Sequence, residues 1–222
     1  MSAQDRIERR RLLGTAATLG GLAVFGHAAP LLAQKIRRTP AQILGPFYPL
    51  VKPLDQDADL TMIKGRPGRA AGQAIHVMGR VTDAQGRALP GVRIEIWQAN
   101  AHGRYTHPSD NNPAPLDPHF EGYAVLRTDA EGRYRFKTIK PGAYPADAGV
   151  MRPPHIHFDI AGRVNRTVTQ LYFAGEPLND DDALLRTVGA NRERLIVSLE
   201  PPTQDLEPDS LLARWDIVLD KG

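Results

Sequence analysis

The chain has no cysteine among its 222 residues. This absence excludes disulfide bonds, cysteine–zinc sites, iron–sulfur clusters and thiol nucleophiles together. Any metal site must therefore be built from histidine, tyrosine, aspartate or glutamate. The sequence also lacks a Gly-x-x-x-x-Gly-Lys phosphate loop and a Gly-x-Ser-x-Gly nucleophile elbow. It does not point to a nucleotide enzyme or to a serine hydrolase.

A strong excess of positive charge is missing from the body of the chain. The net charge is +3 and the pI is near 9.3, but residues 1–33 carry four arginines against Asp5 and Glu8. Removing that segment leaves a net charge of +1 and no basic cluster. We therefore expect no nucleic-acid partner. Hydrophobic residues make up 41% of the chain, which is enough for the core of one domain.

Residues 1–33 have the order of an export signal. The run Arg9-Arg10-Arg11-Leu12-Leu13 precedes a moderately apolar stretch that ends in small residues. It resembles a twin-arginine signal, which predicts delivery by the export machinery to the periplasm or outside the cell. The cleavage site stays open between Ala28 and Ala33, as does retention of the leader as an anchor. The alternative is an ordinary N-terminal helix packed on the domain.

From residue 34 onward the sequence is typical of one all-β domain. Residues 34–72 are rich in proline, glycine and charge, which predicts an extended N-terminal arm. After residue 74 the hydrophobic period becomes two, as in strands. We expect strands over 75–81, 92–97, 124–128, 134–139, 155–161, 167–173, 195–199 and 215–219, and a helical turn over 181–187. The pattern predicts an antiparallel β-sandwich with little helix and with long loops that carry a metal site.

One predicted strand carries a histidine pair. His155 and His157 flank Ile156, and side chains at i and i+2 of a strand point to the same face. Two neighbouring imidazoles suit a shared metal ion, since histidine is the commonest metal ligand in proteins. Taken alone, however, the pair is more typical of a strand whose histidines face water.

Two tyrosines and an arginine change that balance. Tyr105 follows a Gly-Arg pair after a strand, Tyr144 lies between Gly142 and Pro145, and Arg152 precedes the histidines. Each tyrosine alone is typical of a half-buried loop residue. A ferric ion, however, lowers the pKa of a phenol enough to ionise it, and two phenolates favour Fe(III) over Fe(II). Asp159 lies on the same strand face, but no acidic residue has a placement comparable to the tyrosines.

Short motifs along most of the chain match one family together. They are Thr39-Pro40, Gly45-Pro46-Phe47-Tyr48, Trp97-Gln98-Ala99-Asn100, Gly103-Arg104-Tyr105, Leu116-Asp117-Pro118, Thr138-Ile139-Lys140-Pro141-Gly142, Tyr144-Pro145, Arg152-Pro153, His155-Ile156-His157-Phe158 and Gln170-Leu171-Tyr172-Phe173. The set resembles the intradiol ring-cleavage dioxygenases, and within them the iron-bearing (beta) subunit of protocatechuate 3,4-dioxygenase. No single motif is as specific as the combination.

The resemblance implies an activity and a role for each matching residue. It implies cleavage of a catechol-type ring by O2 between the two hydroxyl-bearing carbons, giving a muconate-type dicarboxylate. The ligands of one non-haem ferric ion would be Tyr105, Tyr144, His155 and His157. The catalytic residues would be Arg152, Gln170 and Tyr144, with Tyr144 as the ligand that leaves the iron. Tyr48 and Arg152 would bind the substrate. Still open are the substrate (protocatechuate, another substituted catechol, hydroxyquinol or a larger plant-derived catechol), any second subunit and homo-oligomer formation.

A different class of protein fits part of the same pattern. The strands around residues 81–97 also resemble transthyretin-like and carboxypeptidase-regulatory sandwiches, which bind partners without chemistry. On that interpretation the tyrosines and histidines are packing or surface residues. A zinc protein that uses only the histidines is a third alternative. The joint presence of two tyrosines, two histidines and Arg152 favours the enzyme.

Overall fold

The computed structural model describes residues 36–147 and 149–220. The leader assigned to residues 1–33 lies outside this part of the chain, so export stays a prediction. Within the described ranges, no helix combines the length and the apolar character that a membrane crossing needs.

The described chain is built almost entirely from short strands. The strands are β1 (Ala74–Thr82), β2 (Arg93–Trp97), β3 (Tyr123–Arg127), β4 (Arg133–Ile139), β5 (Tyr144–Asp147), β6 (Val150–Arg152), β7 (His155–Ala161), β8 (Arg166–Phe173), β9 (Ile196–Val197), β10 (Leu199–Glu200), β11 (Leu211–Arg214) and β12 (Ile217–Val218). The helical segments are α1 (Ala183–Thr187) and 3₁₀ helices at Pro177–Asn179 and Gly189–Arg194. The prediction of an all-β fold with little helix is confirmed.

Two five-stranded sheets form the sandwich. One has the order β10-β11-β1-β12, with β4 also paired to β1, and the other has the order β3-β2-β7-β8-β9. Phe158 of β7 lies 5.9 Å from Phe136 of β4 and 4.9 Å from Trp215, measured between ring centroids. Phe158 is fully buried, and removing a side chain of that size from water contributes about 1.5–3 kcal/mol.

The sheets are mixed, although most pairs are antiparallel as predicted. Strand β1 runs parallel to β11 and β12, and β8 runs parallel to β9. The sequence pattern did not predict β11, because Leu211-Leu212-Ala213-Arg214 does not alternate in polarity. It also placed Tyr144 in a loop, whereas Tyr144 begins β5, which pairs with β6.

Strand β7 is buried on both faces. Ile156, Phe158 and Ile160 enter the sandwich core, while His155 and His157 lie on the opposite face. That outer face is covered by the N-terminal arm, which explains why polar residues of β7 are buried too.

The arm, residues 36–72, crosses the second sheet strand by strand. Gln42 donates its backbone N–H to Val168 of β8, at 2.8 Å. Gly45 then lies against β7, Tyr48 contacts β2, and Val125 of β3 donates its N–H to the carbonyl oxygen of Gln56 at 3.2 Å. The arm is therefore the layer that encloses the outer face of β7.

Candidate active site

The two histidines of β7 face each other at close range. His155 Nε2 and His157 Nε2 are 3.2 Å apart, and both side chains are buried. The carbonyl oxygen of Pro153 lies 2.7 Å from His155 Nδ1, and a carbonyl can only accept, so Nδ1 carries the hydrogen. The lone pair of His155 is therefore on Nε2, directed toward His157, as in a metal-ligating histidine.

Packing fixes the ring of His157. Trp97 stacks on it with centroids 4.8 Å apart and an interplanar angle of 10°. On the arm, Gly45 has φ of +80°, and a Cβ there would lie 3.0 Å from His157 Cε1. Only glycine suits both the backbone conformation and the space. The buried Nδ1 of His157 has no hydrogen-bond partner among the described residues.

Both tyrosines join the histidines around one common space. The rings of Tyr105 and Tyr144 are 5.3 Å apart, Tyr144 is 5.5 Å from His155, and Tyr105 is 6.2 Å from His157, all between centroids. The hydroxyl of Tyr105 is buried and has no hydrogen-bond partner in the described chain. The structure thus brings together all four residues that the sequence grouped as metal ligands.

Local backbone contacts set the two tyrosine segments side by side. Asp110 Oδ2 accepts the N–H of Tyr105 at 2.7 Å, which shapes the loop after β2. Gly103 has φ of +76°, and a Cβ there would lie 2.0 Å from the carbonyl oxygen of Ala143. Tyr144 then begins β5 and pairs across the hairpin with Arg152 of β6.

The buried guanidinium of Arg152 lies against this space. Nη1 is 3.1 Å from His155 Nε2 and 3.5 Å from the hydroxyl oxygen of Tyr144. Nη2 donates to Gln170 Oε1 at 2.8 Å, and the side-chain amide of Gln170 donates to the carbonyl oxygen of Ile43 at 3.3 Å. Arg152 and Gln170 therefore lie beside the four rings without being part of the donor set.

Burial controls the protonation of the four rings. Burial raises the pKa of Tyr105 well above its ordinary value and raises the pKa of Tyr144, with the charge of Arg152 opposing both shifts. Burial, reinforced by Arg152, lowers the pKa of His155 and His157 well below the ordinary value. Without a metal ion the site therefore holds neutral imidazoles and neutral phenols, and a metal ion among them would favour phenolate.

The donor set fits a metal ion by its chemistry. The unpartnered buried hydroxyl of Tyr105 and the unpartnered buried Nδ1 of His157 are costly unless something binds them. Among the described residues, no group of three or more histidine, aspartate and glutamate side chains could hold a metal. A metal here would use the mixed tyrosine–histidine set.

Two other sequence candidates lie nearby in different roles. Tyr48 packs edge-on against Trp97 at 5.0 Å, but its hydroxyl donates to Glu95 Oε2 at 2.8 Å. Its contact with a substrate stays a prediction. Asp159 accepts two hydrogen bonds from Arg166, each at 2.8 Å, and takes no part in the donor set.

Sequence reasoning missed two polar partners of Arg152. Asp182 Oδ2 accepts from Arg152 Nε at 2.8 Å, and the hydroxyl of Tyr172 accepts from Nη2 at 2.9 Å. Asp182 was hidden in a run of three aspartates, and its one signal is its place directly before α1, where helix N-caps are found. Tyr172 lies on the same face of β8 as Gln170, two residues away.

A cavity of about 540 Å³ opens beside Tyr105, and it is large enough for a small aromatic molecule. Its apolar wall includes Phe47, Trp97, Phe120 and Tyr123. A larger cavity of about 830 Å³ lies by β1 and β4 and contains none of the candidate residues. The donor set, rather than cavity size, locates the chemistry.

Comparison with known proteins identifies the family. Residues 43–221 match the family described as "Dioxygenase". The protocatechuate 3,4-dioxygenase beta chain of Burkholderia cepacia is 46% identical over 172 residues, which cover 75% of this chain and 72% of that protein. The hydroxyquinol 1,2-dioxygenase of Corynebacterium glutamicum is 32% identical, with 83% and 64% covered. The chain thus spans less than two thirds of that second relative.

Solved structures show the same fold. The dioxygenase domain of a dioxygenase carbohydrate-binding protein fusion from Streptomyces sp. SirexAA-E has a TM-score of 0.62 and 28% identity, and the match covers 84% of this chain and all of that one. Catechol 1,2-dioxygenase from Pseudomonas arvilla C-1 has a TM-score of 0.63 and 28% identity, with 82% and 62% covered. The chain therefore belongs to the intradiol ring-cleavage dioxygenase family.

Proposed function

We propose that this protein is a non-haem Fe(III)-dependent intradiol dioxygenase. It would cleave a catechol-type ring with O2 between the two hydroxyl-bearing carbons and give a muconate-type dicarboxylate. The observation that carries the proposal is the convergence of two buried tyrosines and two buried histidines beside a buried arginine. The relatives are dioxygenases, and they give no support to the alternative of a non-catalytic binding module.

The residues that would hold one ferric ion per chain are Tyr105, Tyr144, His155 and His157. Two phenol oxygens supply the hard anionic donors that favour the ferric state. When bound, the ion supplies Lewis acidity that promotes loss of the catechol protons.

The chain itself supplies proton acceptance and charge stabilisation. With a metal ion bound, Tyr144 would be a phenolate, and its oxygen could take one catechol proton to give a neutral phenol. Arg152 Nη1 lies 3.5 Å from that oxygen. Arg152 stays cationic at every working pH and is buried, so its charge acts at low dielectric on an electron-rich ring. Phe47, 4.7 Å from Tyr105 between ring centroids, helps to exclude water.

The substrate class is a catechol, with the ring substituent left unassigned. The relatives are named for protocatechuate, catechol and hydroxyquinol. The cavity beside Tyr105 is lined by Lys64 and Arg66 and also by Asp55 and Glu121, so its charges do not select one ring substituent. We propose a panel of these three catechols as the first substrates to test.

Arg152→Lys tests the proposal. The variant keeps a positive charge but loses the planar fork. We therefore expect it to retain its iron and the visible tyrosinate-to-Fe(III) charge-transfer band, while turnover falls about 10²–10³-fold. Arg133→Lys on the surface is the control. Iron analysis, anaerobic titration with each catechol and oxygen uptake provide the readouts. Stoichiometric zinc without iron would refute the metal assignment, and near-normal turnover would remove Arg152 from the mechanism.

We also propose that residues 1–33 direct export of the folded protein to the periplasm or beyond. Changing Arg9, Arg10 and Arg11 to lysine should leave precursor in the cytoplasm, because a twin-arginine signal depends on its arginine pair. Fractionation followed by immunoblotting measures this. Undiminished export of the lysine variant would contradict the twin-arginine assignment.

A further inference from the structure

We infer that Asp182 is a positioning residue for ring cleavage, whose carboxylate fixes the Arg152 guanidinium so that only Nη1 faces Tyr144 and His155. The inference rests on the proposed function. It concerns a residue outside the donor set, on the segment that leads into α1.

The two side chains form a buried, two-point ion pair. Asp182 Oδ2 accepts from Arg152 Nε at 2.8 Å, and Oδ1 accepts from Nη2 at 3.3 Å. Asp182 is 4% exposed and Arg152 is 7% exposed. Asp182 is the one carboxylate among the described residues within ion-pair distance of this guanidinium. Two contacts to a planar fork fix its orientation as well as its position.

The remaining donors of Arg152 leave a single edge for the reaction. Nη2 also donates to Gln170 at 2.8 Å and to the hydroxyl of Tyr172 at 2.9 Å. Nε and Nη2 are thus occupied by Asp182, Gln170 and Tyr172. Nη1 alone reaches the Tyr144 hydroxyl and His155 Nε2.

Helix α1 in turn fixes the carboxylate. Asp182 is its N-cap, and Oδ1 accepts the backbone N–H of Leu185 at 2.7 Å. Leu185 is fully buried. The other two aspartates of the run behave differently: Asp180 binds Arg192 at the surface and Asp181 is exposed. The buried member of the run is therefore the one that reaches the site.

Orientation, rather than added charge, is the benefit of this contact. A carboxylate partly offsets the positive charge of Arg152, so it cannot raise the electrostatic stabilisation by itself. It holds the donor edge in place before the reaction, and a preoriented dipole or charge needs no reorganisation during the chemical step.

The experiment separates orientation from helix capping. Asp182→Ser keeps an N-cap acceptor but loses the carboxylate that Arg152 needs. In the iron-loaded enzyme we expect kcat to fall about 10–100-fold, as it does for outer-shell partners elsewhere, with iron content and KM for the catechol nearly unchanged. Asp181→Ser, one residue away and exposed, should match the wild type. If the serine variant does not fold, Asp182→Asn, which also keeps the cap, replaces it in every measurement.

A double variant identifies the partner through which Asp182 acts. If Asp182 works through Arg152, adding Asp182→Ser to Arg152→Lys should cost far less in kcat than it does alone. If the wild type cleaves catechol but the losses in kcat from the two substitutions are additive, the inference is overturned. It is also overturned if Asp182→Ser alone keeps the kcat of the wild type. A wild-type enzyme that cleaves none of the three catechols would refute the proposed function instead.

Discussion

At the residue scale, the site consists of groups that are individually costly to bury. The hydroxyl of Tyr105 is enclosed without a partner, whereas the equally buried hydroxyl of Tyr134 donates to the carbonyl oxygen of Trp215 at 2.7 Å. An unpartnered buried hydroxyl costs about 1–3 kcal/mol. The contrast agrees with the proposed role of Tyr105 as a metal ligand, whereas Tyr134 is a packing residue.

Removing each hydroxyl should therefore have opposite effects on the metal-free protein. We expect Tyr105→Phe to raise the free energy of unfolding by about 1 kcal/mol and Tyr134→Phe to lower it by about 1 kcal/mol. Urea unfolding of the metal-free chains measures both. Tyr105→Phe should also reduce iron loading and the visible band, and Tyr134→Phe should not. Equal destabilisation by the two variants would contradict the assignment of Tyr105.

Glu121 is a second buried group, and its ionised form is unfavourable in the folded protein. It lies in the wall of the cavity beside Tyr105, and its Oε2 has no partner among the described residues. Burial, with the negative charges of Asp55 and Asp57 adding to it, raises the pKa of Glu121 from 4.5 to about 7. The folded protein thus holds this proton more tightly than the unfolded chain does.

This pKa shift predicts that Glu121→Gln raises the free energy of unfolding in a pH-dependent way. Between pH 4.5 and pH 7 the folded state binds more protons at Glu121 than the unfolded chain does. The contribution of Glu121 to stability is therefore lost as pH rises through this range. Gln cannot ionise, so the variant should gain stability relative to the wild type at pH 8 but not at pH 4.5. Urea unfolding at both pH values measures the difference, with the exposed Glu131→Gln as control. An equal difference at both pH values would contradict the shift.

At the element scale, two chain segments meet where neither can carry a side chain. A Cβ on Gly142 would lie 2.5 Å from the backbone nitrogen of Gly103 and 2.6 Å from the carbonyl oxygen of Ala101. These contacts are to backbone, which cannot move aside as a flexible side chain could. This backbone contact between residues 101–103 and Gly142, called the seam below, sets the Tyr105 loop against the start of β5, where Tyr144 lies.

Gly142→Ala should therefore damage the metal site without touching a ligand. We expect a loss of about 1–3 kcal/mol in the free energy of unfolding and reduced iron content, because the two tyrosine segments must separate. Gly122→Ala is the control, since its Cβ would meet its nearest neighbour, the carbonyl oxygen of Gln98, at an ordinary 3.4 Å. Full iron loading by Gly142→Ala would contradict this account of the seam.

Periodicity in the sequence predicted the long strands and failed for the short ones. Strands β1, β2, β4, β7 and β8 alternate in burial or carry continuous apolar runs, so they could be recognised. The strands of the β5–β6 hairpin are short and include a proline, so no period can be read from them. Parallel pairing of β1 with β11 joins residues far apart in sequence, which local patterns do not encode.

At the scale of the whole molecule, the arm is fastened to the second sheet and encloses the site. Tyr48 and Lys52 of the arm donate to Glu95 of β2, each at 2.8 Å. Burial alone would raise the pKa of Glu95, but hydrogen bonds from Lys52, Tyr123 and Tyr48 outweigh it and lower the pKa to about 2. The buried carboxylate is therefore charged and fastens the arm at neutral pH.

The sequence predicted which residues meet but not how Arg152 is held. Tyr105, Tyr144 and the histidine pair could be grouped by residue type and motif alone. Asp182 could not, because its role depends on a tertiary contact across 30 residues of chain. The contact of Tyr48 with Glu95 was likewise not predicted, because it joins residues 47 positions apart.

Product analysis under ¹⁸O2 tests the central claim most directly. Iron-loaded protein is mixed with a catechol under nitrogen, labelled oxygen is admitted, and the product is identified by mass spectrometry. We predict a muconate-type dicarboxylate with one labelled oxygen atom in each new carboxyl group, because the ring opens between the two hydroxyl-bearing carbons. A semialdehyde from cleavage beside the hydroxyl groups, or a product without label, would contradict the assignment.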